Sequence, residues 1–124
     1  MNRAEERASF YATVYEAVQL VPYGKVTSYG HIARLIQSPQ NSRRVGKALK
    51  ELPTINDAEE QRSPYHSDNV PWQRVVSFSG EIAPRVPMEG CARQVEKLRN
   101  EGVDVDLLRA KVNLRAYGWF PEEL

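Results

Sequence analysis

Apolar residues recur at helical spacing over the first fifty positions. Phe10, Val14, Ala17 and Val21 share one face of a helix from Glu5 to Leu20, and Val21-Pro22-Tyr23-Gly24 ends it. Lys25-Val26 is a short extended link. Ser28 suits the N-cap of a second helix through Ile36, with Ile32, Leu35 and Ile36 inward. A turn at Gln37 to Asn41 leads into a third helix from Ser42 to about Leu52. Its inward residues are Val45, Ala48, Leu49 and Leu52. Residues 53–69 carry few apolar positions and several turn formers, and read as an exposed, mobile loop. A strand near Gln73 to Ser77 and a turn at Ser79-Gly80 follow, then a Pro-containing loop to Met88. A fourth helix, Glu89 to Glu101, places Cys91, Val95 and Leu98 inward, and Gly102 stops it. The tail is short and irregular, with Val112-Asn113-Leu114 extended. The pattern is α/β, mostly helical, and 124 residues make one domain with a core of its own.

Composition adds exclusions. No apolar run approaches membrane-spanning length, and the N-terminus lacks the apolar core of a signal peptide. A single cysteine, Cys91, forms no internal disulfide and fits a reducing, intracellular compartment. One cysteine and two scattered histidines leave no zinc site. The net charge is only +1, but its distribution is uneven. Lys25, Arg34, Arg43, Arg44, Lys47 and Lys50 run from 25 to 50 with no acid between them. Residues 53–69 hold Asp57, Glu59, Glu60 and Asp68 against Arg62 alone. A helix, a short turn and a basic helix have the layout of a helix-turn-helix, with one face suited to phosphate. The same charges would also decorate an ordinary solvated helix.

Four stretches then match one family in order. They are Val21-Pro22-Tyr23-Gly24-Lys25-Val26-Thr27-Ser28-Tyr29-Gly30-His31-Ile32-Ala33, Ser42-Arg43-Arg44-Val45-Gly46-Lys47-Ala48, Val70-Pro71-Trp72-Gln73-Arg74-Val75-Val76 and Leu98-Arg99-Asn100-Glu101-Gly102-Val103. Together they resemble the DNA-binding domain of the O6-alkylguanine-DNA alkyltransferases. That family's active-site segment is Pro-Cys-His-Arg-Val. Here Trp72 replaces the nucleophilic cysteine, the mark of the non-catalytic alkyltransferase-like proteins. Taken alone, the hexapeptide around Trp72 is also a buried tryptophan beside a strand.

The resemblance implies an alkyltransferase C-terminal-domain-like, winged-helix-like fold with a helix-turn-helix. It implies that Arg43 enters the duplex in place of a rotated base, while Tyr29 presses on the target phosphate. Ser42, Arg44 and Lys47 accompany them on the recognition helix. Trp72, Val75 and Arg85 line a lesion pocket, with Arg85 on the loop that closes over the flipped base. The implied partners are double-stranded DNA carrying O6-alkylguanine and nucleotide excision repair proteins. The expected state is a monomer without cofactor or metal, nuclear in a eukaryote.

Transfer chemistry requires a thiolate, activated in the family by a histidine backed by a glutamate. Trp72 offers no nucleophile and Gln73 no titrating base, and counting back from Gly102 puts the glutamate position on Val95. Cys91, on an apolar stripe, reads as a core residue, His31 as a surface residue near a helix start, and His66 has no assigned role. An alkyltransferase with an unorthodox nucleophile and a sequence-specific helix-turn-helix regulator are the alternatives to a lesion binder.

Overall fold

The structure, a computed structural model, describes residues 2–82 and 89–124. Helix α1 spans Arg3–Gln19 and starts earlier than its apolar face requires, because the Asn2 side chain accepts a hydrogen bond from the Glu5 N–H. Strand β1, Thr27–Ser28, runs directly into α2, Tyr29–Leu35, where the Ser28 hydroxyl caps His31 N–H as its position in the sequence suggests. A 3-10 turn over Pro39–Asn41 precedes α3, Ser42–Lys50. Val14, Val18, Ile32, Ala33, Val45, Ala48 and Leu49 belong to the first core cluster, so these three helices pack as the helical spacing of their apolar positions demands. The Tyr15 hydroxyl crosses this core to donate to Ala48 O at 2.6 Å.

Residues 53–69 do not form the open loop expected of them. They contain α4, Ile55–Gln61, capped by Thr54 and ended by Arg62 in the left-handed region. Only Ala58 of this helix is buried, so apolar periodicity could not reveal it. The rest of the segment is fastened to α1. Tyr65 stacks obliquely on Tyr15 with centroids 5.3 Å apart and donates to Glu16, and Gln19 donates to Asn69 O. Buried aromatic area and side-chain hydrogen bonds here replace the apolar stripe.

After a 3-10 turn at Trp72–Arg74, strand β2, Val75–Val76, pairs in parallel with β1, Thr27 opposite Val75 and Ser28 opposite Val76. Alternation along β2 sends Val75 into the first cluster and Val76 into a second one. That second cluster is Val26, Val76, Ile82, Leu98, Val103 and Val112. Helix α5, Glu89–Asn100, contributes Leu98. The tail is more regular than expected. Strands β3, Val105–Asp106, and β4, Lys111–Val112, form an antiparallel hairpin, and α6, Leu114–Tyr117, follows. The chain end then returns to the helices: Trp119 N–H donates to Val26 O, and His31 Nε2 lies 2.6 Å from Pro121 O. His31 is thus half-buried against the tail, and Phe120 meets its ring edge-on. Among the described residues, no helix is long and apolar enough to cross a membrane.

Gly80 has φ +89°, and a Cβ there would lie 2.2 Å from Val112 O. Gly102 has φ +83° but open space around it. Gly102→Ala should therefore cost only the left-handed backbone penalty, about 1 kcal/mol. Gly80→Ala adds a backbone clash and should cost at least about 2 kcal/mol. Urea unfolding of the two variants checks the order; equal losses would mean that the turn after β2 relaxes freely away from β4.

Candidate nucleic-acid interface

Tyr29 opens α2, and its ring lies beside Gly46 of α3. A Cβ on Gly46 would be 3.8 Å from ring atoms Cδ1 and Cε1. A groove of about 420 Å³ runs along this contact, lined by Tyr29, Ser42, Arg43, Gly46, Lys47 and Lys50. Its lining carries three cations and no acid. Arg43, Lys47 and Lys50 are exposed, so their charge is available to an anion in the groove. The structure thus brings together Tyr29, Ser42, Arg43 and Lys47.

Arg44 is not one of them. It turns back toward α1, where its guanidinium pairs with Glu6 and lies 4.1 Å from the centre of the Phe10 ring. An arginine next to the groove in sequence is therefore a brace between α1 and α3. The Arg44 guanidinium in turn holds the Glu6 carboxyl below its ordinary value through their hydrogen bond.

The second set of residues surrounds Trp72. Pro71 precedes the 3-10 turn, and the Trp72 N–H donates to Val70 O at 2.7 Å. Trp72 is 8% exposed, packed in the first cluster, and Val75 is wholly buried there. Val75 consequently presents no surface of its own; it is the backing against which the turn rests. Arg85 lies outside the described residues.

Behind the turn stands Glu101, at the C-terminal end of α5. Its carboxylate accepts from Gln73 Nε2 at 2.8 Å, from Arg74 Nε at 2.9 and 3.1 Å, and from Gly24 N–H at 2.8 Å. Arg74 Nη1 also donates to Val21 O at 2.8 Å. The side chains of Arg74 and Glu101 are 15% and 5% exposed. Burial alone would raise the Glu101 carboxyl, but the Gly24 N–H, Arg74 and Gln73 outweigh it and hold it below its ordinary value. This corrects the placement of the glutamate on Val95, which is half-buried against the second cluster. The carboxylate behind position 73 is the residue immediately before Gly102, and the Glu-Gly pair at the helix stop was the signal for it. Sequence reasoning also missed Gln94, which is fully buried on the α5 face shared by Cys91 and Leu98. Cys91 is only half-buried, at the edge of the second cluster. Among the described residues, no group of three or more His, Cys, Asp or Glu side chains could hold a metal ion.

Comparison with known proteins fits this geometry. Residues 9–103 match the family model of the 6-O-methylguanine DNA methyltransferase DNA-binding domain. Alkyltransferase-like protein 1 of Schizosaccharomyces pombe is 39% identical over 115 residues, covering 90% of this chain and 95% of that protein. The chain belongs to the alkyltransferase-like proteins of this family. A DNA base-flipping protein of Vibrio parahaemolyticus is 33% identical over 112 residues, covering 90% of this chain and 97% of that one. Among solved structures, the S. pombe protein in complex with damaged DNA containing O6-carboxymethylguanine superposes with a TM-score of 0.75 at 38% identity. It covers 98% of this chain and 100% of that one. The mostly helical fold is thus that of the family, with its helix-turn-helix formed by α2 and α3.

Because Glu101 titrates below the ordinary value of 4.5 in the folded chain, its contribution to stability is complete above that pH. It is lost as the pH falls through the lowered folded value. Melting temperatures of the parent and Glu101→Gln should therefore differ most near pH 7 and converge below pH 4.5. A gap that stays constant down to pH 3 would mean that the charge of Glu101 does not hold the turn.

Proposed function

We propose that this protein binds O6-alkylguanine in double-stranded DNA by rotating the damaged nucleotide into a pocket beside Trp72, without transferring the alkyl group. The observation that carries the reading is a scaffold that keeps the carboxylate of Glu101 but lacks both nucleophile and base. The turn braced by Glu101 presents an indole where a thiolate would be needed, and a cation-lined groove lies along the helix-turn-helix. In this reading Arg43 fills the gap left in the base stack, since a guanidinium is planar, always charged and able to stack. Tyr29 presses on the phosphate, while Ser42 and Lys47 hold the backbone. Trp72, backed by Val75, forms one wall of the pocket, and Arg85 contacts the modified base. An alkylated guanine pairs badly, so its extrusion costs less than that of a normal base. The whole chain, residues 1–124, acts as one domain and as a monomer. It hands the lesion to nucleotide excision repair, in the nucleus where the host is a eukaryote.

Matched duplexes with and without a single O6-methylguanine test the reading. The lesion duplex should bind roughly ten-fold tighter or more, whatever the flanking sequence. A preference for one undamaged sequence would instead indicate a helix-turn-helix regulator.

The two basic neighbours should separate on salt dependence. Lys47→Ala should reduce the slope of log K against log salt by about 0.9, the effect of one phosphate contact. Arg44→Ala should leave that slope unchanged and lower the melting temperature instead, because its partners are Glu6 and Phe10. A reduced slope for Arg44→Ala would put that side chain on the DNA.

Restoring sulfur alone should give little transfer. A thiol at position 72 has an unperturbed pKa of about 8.5 and no base beside it. Trp72→Cys combined with Gln73→His places an imidazole where Gln73 now meets Glu101. The double variant should transfer methyl roughly a hundredfold faster than Trp72→Cys in single turnover. Equal rates would show that the Glu101 scaffold confers no activation.

A further inference from the structure

The Gln94 side chain is completely buried, the one polar side chain set fully inside α5's inward face among the described residues. Its Nε2 donates to Gln73 O at 3.1 Å and to Val75 O at 3.0 Å. One amide nitrogen therefore uses both of its hydrogens on the two carbonyls that flank Arg74, where the Trp72–Arg74 turn becomes β2. Among the described residues, no hydrogen-bond partner is present for its buried Oε1. The amide nitrogen is thus spent on the backbone at the junction between the turn that carries Trp72 and β2.

We propose that Gln94 is a positioning residue for lesion discrimination: from inside α5 it fixes the backbone of the turn and so sets the orientation of the Trp72 indole. The proposal rests on the reading of Trp72 as a pocket wall. It complements Glu101, which grips the side chains of Gln73 and Arg74 while Gln94 grips the backbone on either side of Arg74. Neither residue lines the groove of the helix-turn-helix.

The test uses the full chain with Trp119→Phe, so that tryptophan emission comes from Trp72 alone. Gln94→Met keeps an unbranched side chain of similar length and removes both donors. Gln94→Lys restores donors to the same carbonyls. The methionine variant should shift the Trp72 emission maximum in the free protein. It should also lower the ratio of dissociation constants for undamaged and O6-methylguanine duplexes by about five-fold, only part of the loss of two hydrogen bonds being felt at the pocket. Lysine should recover much of both. If Gln94→Met does not fold, Gln94→Asn, too short to span both carbonyls, carries the same expectation. Emission and ratio unchanged in the methionine variant, or altered equally by methionine and lysine, would overturn the proposal. Absence of any lesion preference in the parent would refute the lesion-binding reading, while the emission comparison would still decide whether Gln94 positions Trp72.

Discussion

The carboxylate of Glu101 joins three parts of the chain that are far apart in sequence. Through Gly24 N–H it holds the turn after α1, through Gln73 and Arg74 it holds the turn bearing Trp72, and it sits on the residue that directly follows α5. Arg74 extends the link to Val21 O, and its guanidinium sits 5.6 Å from the centre of the Tyr23 ring, whose hydroxyl donates to Asn100 O. A buried ion pair of this kind contributes little if both partners are exchanged for apolar residues. Removing one partner alone strands a charge and typically costs about 3–5 kcal/mol. The network is therefore better understood as fixing one arrangement of the turn than as adding to total stability.

That arrangement matters because the turn lies where the two core clusters meet. Val75 enters the helical cluster and Val76 the cluster formed with α5 and the β3–β4 hairpin. Tyr29 and Arg43 belong to the helical side, and the groove they line is built by the packing of α2 on α3. The parallel pairing of β1 with β2 connects them: Ser28 both pairs with Val76 and caps the helix that begins at Tyr29. Two residues of strand thus set the recognition helices in register with the Trp72 turn. In the proposed function this rigid link couples insertion of Arg43 to delivery of the base beside Trp72.

The helices around the groove were legible because their apolar positions recur at helical spacing and Ser28 marks a start. The Tyr29, Arg43 and Trp72 stretches were legible only because they match one family in the same order along the chain. What was hidden depends on contacts across the chain. Helix α4 buries only Ala58 and is held by Thr54 and by Tyr65 against α1, none of which gives a periodic signal. Arg44 and Arg43 are indistinguishable by type; only Glu6 and Phe10, more than thirty residues earlier, separate them. Glu101 was misplaced because spacing within one helix does not say which residue reaches a turn 28 positions away. Gln94 breaks the apolar stripe of α5, and a polar residue at an inward position is itself a signal of a specific partner.

A base turned out of the helix no longer stacks on its neighbours, and the Arg43 guanidinium proposed to fill its place is not a base that would quench their emission. A fluorescent adenine analogue, 2-aminopurine, placed next to a single O6-methylguanine reports this, because stacking quenches it. With saturating protein, its emission should rise on the lesion duplex and stay low on the matched undamaged one. Saturated binding to the lesion duplex with no rise in emission would contradict nucleotide flipping.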